Sequence, residues 1–168
     1  MIATECYPDT YLLKVFNVGR KKIRHVGTKG DVVNYTRDNP GTLGIIDEDP
    51  DSSQPKELNS YQIIEKTGSL TLMEKGNGSR LIKISPRIEE WFYKRASLLR
   101  IDPLTYDLPR DANELHSIPH YEKKKGFQDF LSSLSEHDEE IATFKKNYLR
   151  KLCDSAVLLS RSMNSSMI

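Results

Sequence analysis

The chain has 168 residues, of which 37% are hydrophobic and 29% are charged, with a formal net charge of +1. This length predicts one domain with a proper core. The small net charge excludes a global electrostatic signature of nucleic-acid binding, so any such role needs a local basic patch. Cys6 and Cys153 lie far apart and form no CxxC pattern, so neither a disulfide framework nor a zinc knuckle is indicated. With no basic leader and no membrane-length apolar run, we expect a cytoplasmic protein without a membrane partner.

The first half of the chain alternates between strand and helix patterns. The predicted order is a strand (1–6), a helix opened by Pro8-Asp9 and ended by Gly19, a strand (22–27), a helix (30–38) and a strand (42–47). Such an order implies right-handed crossovers and a parallel sheet. In sheets of this kind ligands bind beyond the carboxyl ends of the strands.

The middle of the chain predicts a hairpin and a helix. Residues 50–60 form a polar loop, and 61–66 follow as another strand. Two apolar runs, 70–74 and 80–84, flank the turn sequence Lys75-Gly76-Asn77-Gly78-Ser79. We expect a helix to start after them, with Ser85 as its N-cap and Pro86 at its first position.

The last third of the chain has a different character and predicts helices. They are expected over 110–117, 127–134 and 139–159, with a frayed end over 162–168. The sequence therefore indicates an α/β domain over 1–100 and a helical C-terminal extension over 101–168, packed on that domain.

The third predicted strand ends abruptly in carboxylates, in the sequence Gly44-Ile45-Ile46-Asp47-Glu48-Asp49-Pro50-Asp51. Acidic residues are poor strand formers, and close carboxylates repel one another. A divalent cation would offset that repulsion, because hard cations such as Mg2+ prefer carboxylate oxygens. Strand alternation places Asp47 and Asp49 on one side and Glu48 on the other. Glu5 falls at the end of the first strand, at the same edge of the predicted sheet.

Three segments in this order resemble a known domain. Glu5-Cys6-Tyr7-Pro8-Asp9 follows the first strand, Gly27-Thr28-Lys29-Gly30-Asp31 opens the second helix, and Asp47-Glu48-Asp49 ends the third strand. Together they resemble the TOPRIM domain of topoisomerases, primases and OLD-family nucleases, nearest to small stand-alone OLD-like proteins. That family carries a Glu after its first strand and an Asp-x-Asp after its third. The segment Pro86–Phe92 is also similar to a helix of the small members.

The resemblance covers residues 1–100 and implies a TOPRIM/Rossmann-like sheet, with a parallel core and a β-hairpin extension. It also implies Mg2+-dependent (or Mn2+-dependent) hydrolysis of phosphodiester bonds in DNA or RNA by a small nuclease. The metal ligands and catalytic residues would be Glu5, Asp47 and Asp49, and Glu89 or Glu90 would complete the ligand set from the neighbouring helix.

Three further positions follow from the resemblance. Asp9 and Lys29 would support the site, with Lys29 at a helix N-terminus where phosphate binds. The family usually has Gly directly after the first Glu, whereas this chain has Cys6, whose side chain would crowd the cation site.

Simpler interpretations stand beside these. Residues 47–51 would also suit a solvated acidic turn, and Lys29 an exposed lysine. Glu5 would suit a surface carboxylate, Asp9 a helix N-cap, and Glu89 with Glu90 a pair favoured by the helix dipole. We expect His116 and His120 to be loop histidines, because Pro119 breaks the helix that would align them. The basic runs 20–24, 123–125 and 145–151 would contact phosphates or only aid solubility.

Two alternatives to a nuclease remain open. In one, the chain is a non-catalytic module of the same fold with a vestigial acidic site, and its C-terminal helices bind a partner protein. In the other, it is a phosphate-handling α/β enzyme of another family.

Overall fold

The computed structural model describes residues 1–149 of the chain. Within them a mixed α/β fold is built on one six-stranded sheet, in the order β2-β1-β3-β6-β5-β4. The strands are β1 (Ile2–Thr4), β2 (Ile23–His25), β3 (Leu43–Asp47), β4 (Gln62–Thr67), β5 (Leu70–Glu74) and β6 (Arg80–Ile84). Neighbours from β2 to β6 pair in parallel, whereas β5 pairs antiparallel with both β6 and β4. The sheet is therefore mostly parallel, as predicted.

Within residues 1–149, six α-helices surround the sheet. They are α1 (Tyr7–Val15), α2 (Lys29–Asp38), α3 (Ile88–Leu99), α4 (Ala112–Ser117), α5 (Lys125–His137) and α6 (Glu139–Thr143). Short 3-10 turns lie over Arg20–Lys22, Lys56–Ser60, Pro103–Tyr106 and Tyr121–Lys123, and a π-helix over Phe144–Leu149 follows α6. None of the helices in this described part is long and apolar enough to cross a membrane.

Alternation along β3 divides the core between the two faces of the sheet. Leu43 and Ile45 face the larger core, which α1, α3 and α5 cover. Ile46 faces the smaller core together with Val32 and Val33 of α2. On that side Gly44 permits close packing, because a Cβ there would lie 2.5–2.7 Å from side-chain carbons of the neighbouring strand and helix. The two layers of helices hold the carboxyl ends of β1 and β3 in place.

The helices that follow α3 pack onto it through buried ion pairs. Arg95 of α3 contacts Asp138 at 2.7 Å and Glu140 at 2.9 Å, and the side chain of Asp138 is fully buried. Trp91 donates an indole hydrogen bond to Glu140 at 2.9 Å. In α5, Gly126 lies so close to the 3-10 turn over Pro103–Tyr106 that a Cβ there would be 1.9 Å from the carbonyl oxygen of Tyr106.

The start of α3 corrects one prediction. Its N-cap is Arg87, not Ser85. Ser85 instead donates its N–H to Ser69, extending the β5–β6 pairing, and a cis peptide joins it to Pro86. Ser85 thus continues the pairing of the sheet and does not cap the helix.

Two other elements differ from the predicted ones. The loop over 50–60 contains a 3-10 turn at Lys56–Ser60. The helix predicted over 139–159 begins as α6 and continues as the π-helix over Phe144–Leu149. Its remainder and the frayed end predicted over 162–168 lie outside the described residues.

Strand β4 forms one edge of the sheet. Ile63 and Ile64 are adjacent in sequence and both exposed, by 66% and 55%. The pairing of β4 with β5 shifts its register between Ile63 and Glu65, which marks a bulge. The bulge explains why neighbouring residues both reach the surface.

Candidate functional site

Four carboxylates from three parts of the chain meet at the carboxyl edge of the parallel strands, and we call them the acidic cluster: Glu5, Asp9, Asp47 and Glu89. Strands β1 and β3 are adjacent and parallel, with Thr4 opposite Ile45, so the residues that follow them share one edge. A direct contact links the two strand ends, because the backbone N–H of Asp47 donates to Glu5 Oε2 at 3.1 Å. The predicted meeting of Glu5 with Asp47 is therefore present in the structure.

Asp9 is the most buried member of the acidic cluster. It occupies the first turn of α1, where its Oδ2 accepts the backbone N–H of Cys6 at 3.2 Å. Its side chain is fully buried, and within residues 1–149 its Oδ1 has no hydrogen-bond partner. Burial raises the pKa of Asp9 from 3.8 to about 7, and the charges of Glu5 and Glu89 add to that rise. Asp9 is thus part of the cluster rather than an exposed helix cap.

Asp47 is the last residue of β3. Its Oδ1 is buried and has no partner in the described part of the chain. Burial raises its pKa well above 3.8, and Asp9, Glu89 and Glu5 each contribute further by repulsion. A solvated acidic turn would show neither the buried oxygen nor the raised pKa, so at Asp47 that simpler interpretation is wrong.

Glu5 differs from Asp9 and Asp47 in that neighbouring groups partly offset the effect of burial on its pKa. Burial raises its pKa, whereas the hydrogen bond from Asp47 N–H and the charge of Lys29 act in the opposite direction. The charge of Asp49 acts in the same direction as burial and also raises the pKa of Glu5. Glu5 is half-buried and forms the more accessible side of the cluster.

Glu89 enters the cluster from the first turn of α3, where its Oε2 is buried and unpartnered among the residues described. Its Oε1 accepts a hydrogen bond from the Tyr121 hydroxyl at 2.6 Å and lies 3.0 Å from His116 Nδ1. Burial and the carboxylate of Glu89 together raise the pKa of Tyr121 above its ordinary value of 10. Glu89 is therefore held in place from the C-terminal part of the chain.

Sequence reasoning missed these two contacts of Glu89. The expectation of a loop was wrong for His116, which lies in the short helix α4. Asp111 caps the start of α4, and the helix ends before Pro119. His120 does lie outside the α-helices. Nothing in the sequence spacing indicates that His116 and Tyr121 would reach Glu89, since the contact depends on how α4 packs on α3.

Asp49 does not continue the strand pattern. Its φ of 39° is left-handed, and its N–H donates to the carbonyl of Pro86 at 2.7 Å. The preceding residue, Glu48, turns away as predicted and accepts a bond from Lys83 at 3.0 Å. The alternation that placed Asp47 and Asp49 on one side therefore ends with β3, and Asp49 lies at the margin of the cluster.

Lys29 is buried, which corrects the expectation of an exposed lysine. Its Nζ donates to the carbonyl of Glu48 at 2.6 Å, to Ser52 at 3.0 Å and to Gln54 at 3.2 Å. An ammonium group has three N–H donors, and all three are used here. In this conformation Lys29 fixes the loop that follows β3, and no donor is left for a phosphate.

Cys6 stands where the family resemblance would place Gly. It is the N-cap of α1, and its side chain is half-buried and packs against the larger core. Burial and the charges of Asp9 and Asp47 raise the pKa of its thiol. The thiol is thus neutral at physiological pH and lies close to the cluster.

The acidic cluster has the chemistry of a site for a hard cation. Its donors are all carboxylate oxygens, and three of them are buried without partners. In residues 1–149, however, no group of three or more His, Cys, Asp or Glu side chains is placed closely enough to form a ready metal site. The donor set fits a divalent cation, but its oxygens do not form a coordination shell in this conformation.

Comparisons with protein-family models, with curated proteins and with solved structures give no match to this chain.

Proposed function

We propose that the acidic cluster binds a divalent cation, Mg2+ or Mn2+, and that the chain is a TOPRIM-like hydrolase of nucleic-acid phosphodiester bonds. The observation that carries this proposal is the set of three buried, unpartnered oxygens on Asp9, Asp47 and Glu89. Burying carboxylates without partners is costly, and proteins retain such groups mainly where protons or metals neutralise them. Their position at the carboxyl edge of a parallel sheet is where ligands of α/β folds bind.

The order of the acids supports the TOPRIM assignment. Glu5 follows β1, Asp47 ends β3 and Asp49 comes two residues later, and these two strands are direct neighbours. The cation would be held by Glu5, Asp47 and Glu89, with Asp9 behind them and Asp49 at the open margin. A cation bound there would lower the pKa of a water ligand and stabilise charge on a phosphoryl group. Glu5 is half-buried on the accessible side, which suits it to move a proton there.

A second candidate function is a non-catalytic module of the same fold. One observation favours it: protonation and a hydrogen bond within the protein stabilise acids of the cluster without a cation. The pKa of Asp9 is raised to about 7, so this acid is largely protonated in slightly acidic solution. Glu89 already accepts a hydrogen bond from Tyr121. A protein that stabilises its acids in this way does not require a cation, and its C-terminal helices would then bind a partner protein.

Thermal unfolding with and without metal tests the proposal. Mg2+ or Mn2+ added at pH 8 should raise the melting temperature of the wild-type protein, because a ligand that binds only the folded state stabilises it by mass action. Asp47→Asn should abolish the increase caused by metal. The matched control is Asp51→Asn, which changes an exposed acid of the same segment and should leave the increase intact.

Cleavage then separates the two candidates. Labelled DNA and RNA oligonucleotides should be cut by the wild-type protein with Mg2+ or Mn2+, and not by Asp47→Asn. A metal-induced shift without cleavage would favour the binding module. No shift at saturating metal would contradict the cation site itself.

A further inference from the structure

Three exposed rings lie beside the acidic cluster, and we call them the ring platform: Tyr7, His25 and His120. Tyr7 is the first residue of α1 and is 51% exposed. Its ring stacks on that of His25 with centroids 4.2 Å apart and planes 3° from parallel. The ring of His120 lies 6.3 Å from Tyr7, tilted by 55°. A parallel stack of Tyr7 and His25, with His120 tilted beside it, is thus exposed to solvent.

The ring platform is positioned by the same strands as the acidic cluster. His25 is the last residue of β2 and pairs with Thr4, the residue before Glu5. Tyr7 is only two residues beyond Glu5, which limits their Cα separation to about 7 Å. The platform therefore borders the acidic cluster on the β2 side of the sheet.

The third ring comes from the C-terminal part of the chain. His120 Nδ1 lies 3.5 Å from the carboxylate of Glu122, which is almost fully buried. The exposed residues Lys123 and Lys124 follow directly. Since each residue spans at most about 3.6 Å, both lysines lie within roughly 15 Å of His120 along the chain. Positive charge is thus available close to the rings, in a protein whose net charge is only +1.

We propose that the ring platform stacks an unpaired base of a single-stranded nucleic acid, whose backbone passes over Lys123 and Lys124 towards the acidic cluster. This inference rests on the proposed function and names its substrate class. Aromatic side chains bind single strands by stacking, because every base has a π-face. Bases in a duplex are already stacked on one another and cannot reach a platform on the protein surface. The exposed rings thus select single strands over duplexes.

The test is a binding measurement that does not depend on cleavage. Fluorescence anisotropy would follow a short fluorescein-labelled oligothymidylate, and the matching oligouridylate, in Ca2+ and separately in EDTA. Tyr7→Leu keeps an apolar side chain but removes the π-face, and it should weaken binding on the order of tenfold. Tyr7→Phe keeps the ring and should bind like the wild type.

Two histidine variants provide the second comparison. His25→Ala should weaken binding in the same way as Tyr7→Leu, and because His25 is exposed this variant keeps the test valid if Tyr7→Leu unfolds. His137→Ala, an exposed histidine at the end of α5, should have no effect. A labelled duplex should bind more weakly than the single strands and should not respond to Tyr7→Leu.

The outcomes are distinct from those of the proposed function. The stacking proposal is overturned if Tyr7→Leu binds the single-stranded oligonucleotides as tightly as the wild type. It is also overturned if Tyr7→Phe loses as much affinity as Tyr7→Leu. If Tyr7→Leu weakens duplex binding as much as single-strand binding, the preference for single strands is overturned. If stacking is observed while no metal shift and no cleavage occur, the hydrolase proposal fails and the platform stands. Preference for the thymine or the uracil oligonucleotide would identify the source of the strand.

Discussion

Replacing Asp9 by Asn should make the metal-free protein more stable at pH 8 and leave it almost unchanged near pH 4. The folded protein raises the pKa of Asp9 from 3.8 to about 7. Between these two pH values the folded state keeps a proton that the unfolded chain has released. The unfolded state therefore binds fewer protons, and the free energy of unfolding decreases as the pH rises through that window.

The size of the effect follows from the same two values. Each pKa unit is worth about 1.4 kcal/mol, so raising the pKa from 3.8 to about 7 corresponds to about 4 kcal/mol of stability lost when Asp9 is fully ionised. Asn at this position carries no charge and can still accept the N–H of Cys6. The gain for Asp9→Asn should therefore grow from near zero below pH 4 to at most about 4 kcal/mol above pH 8.

Urea unfolding in EDTA across this pH range measures the difference directly. Asp31→Asn is the control with the opposite sign, because the hydroxyl and N–H of Thr28 lower the pKa of the exposed Asp31. Asp31→Asn should lose stability at pH 8 and approach the wild type in acid. Two results together would show that Asp9 does not have a raised pKa: a wild-type free energy of unfolding that is constant from pH 5 to pH 8, and equal stability of wild type and Asp9→Asn at pH 8.

Two further predictions concern the packing of the helical region, and both are checked by urea unfolding. Gly126→Ala should cost about 1–3 kcal/mol or more, because its Cβ would overlap a backbone carbonyl. Gly76→Ala has open space at that position and should change stability by less than about 0.5 kcal/mol. Arg95→Leu should cost about 3–5 kcal/mol by leaving the buried Asp138 carboxylate without a counter-charge. Arg37→Leu breaks only exposed contacts, with Asp38 and Asn34, and should cost far less than Arg95→Leu.

Sheet topology was predictable because it depends on local signals that recur along the chain. The order of strands and helices up to Asp47 implied a parallel sheet, and the turn at 75–79 implied the β5–β6 hairpin. Parallel pairing of β1 and β3 then brings Glu5 beside Asp47. Their meeting could be inferred from the sequence because the segment between them consists of two regular helical crossovers, through α1 and α2, with β2 between them.

The parts of the site that could not be predicted depend on tertiary packing. Burial of Asp9 follows from how α1 lies on the sheet and not from its position as a helix cap. The contacts of Tyr121 and His116 with Glu89 need α4 to dock on α3, which no spacing in the sequence encodes. Lys29 looks like an exposed lysine in sequence, and only the folded loop after β3 shows what its amine binds.

The irregular pairing of β4 with β5 has a consequence for self-association. An outermost strand with two apolar side chains would normally offer a template on which a second molecule could add its own strand. The extra residue in this strand bends it and interrupts the regular spacing of its outward N–H and C=O groups. The bulge thereby opposes pairing of β4 with a strand of a second molecule, at the edge where the exposed Ile63 and Ile64 would favour such pairing.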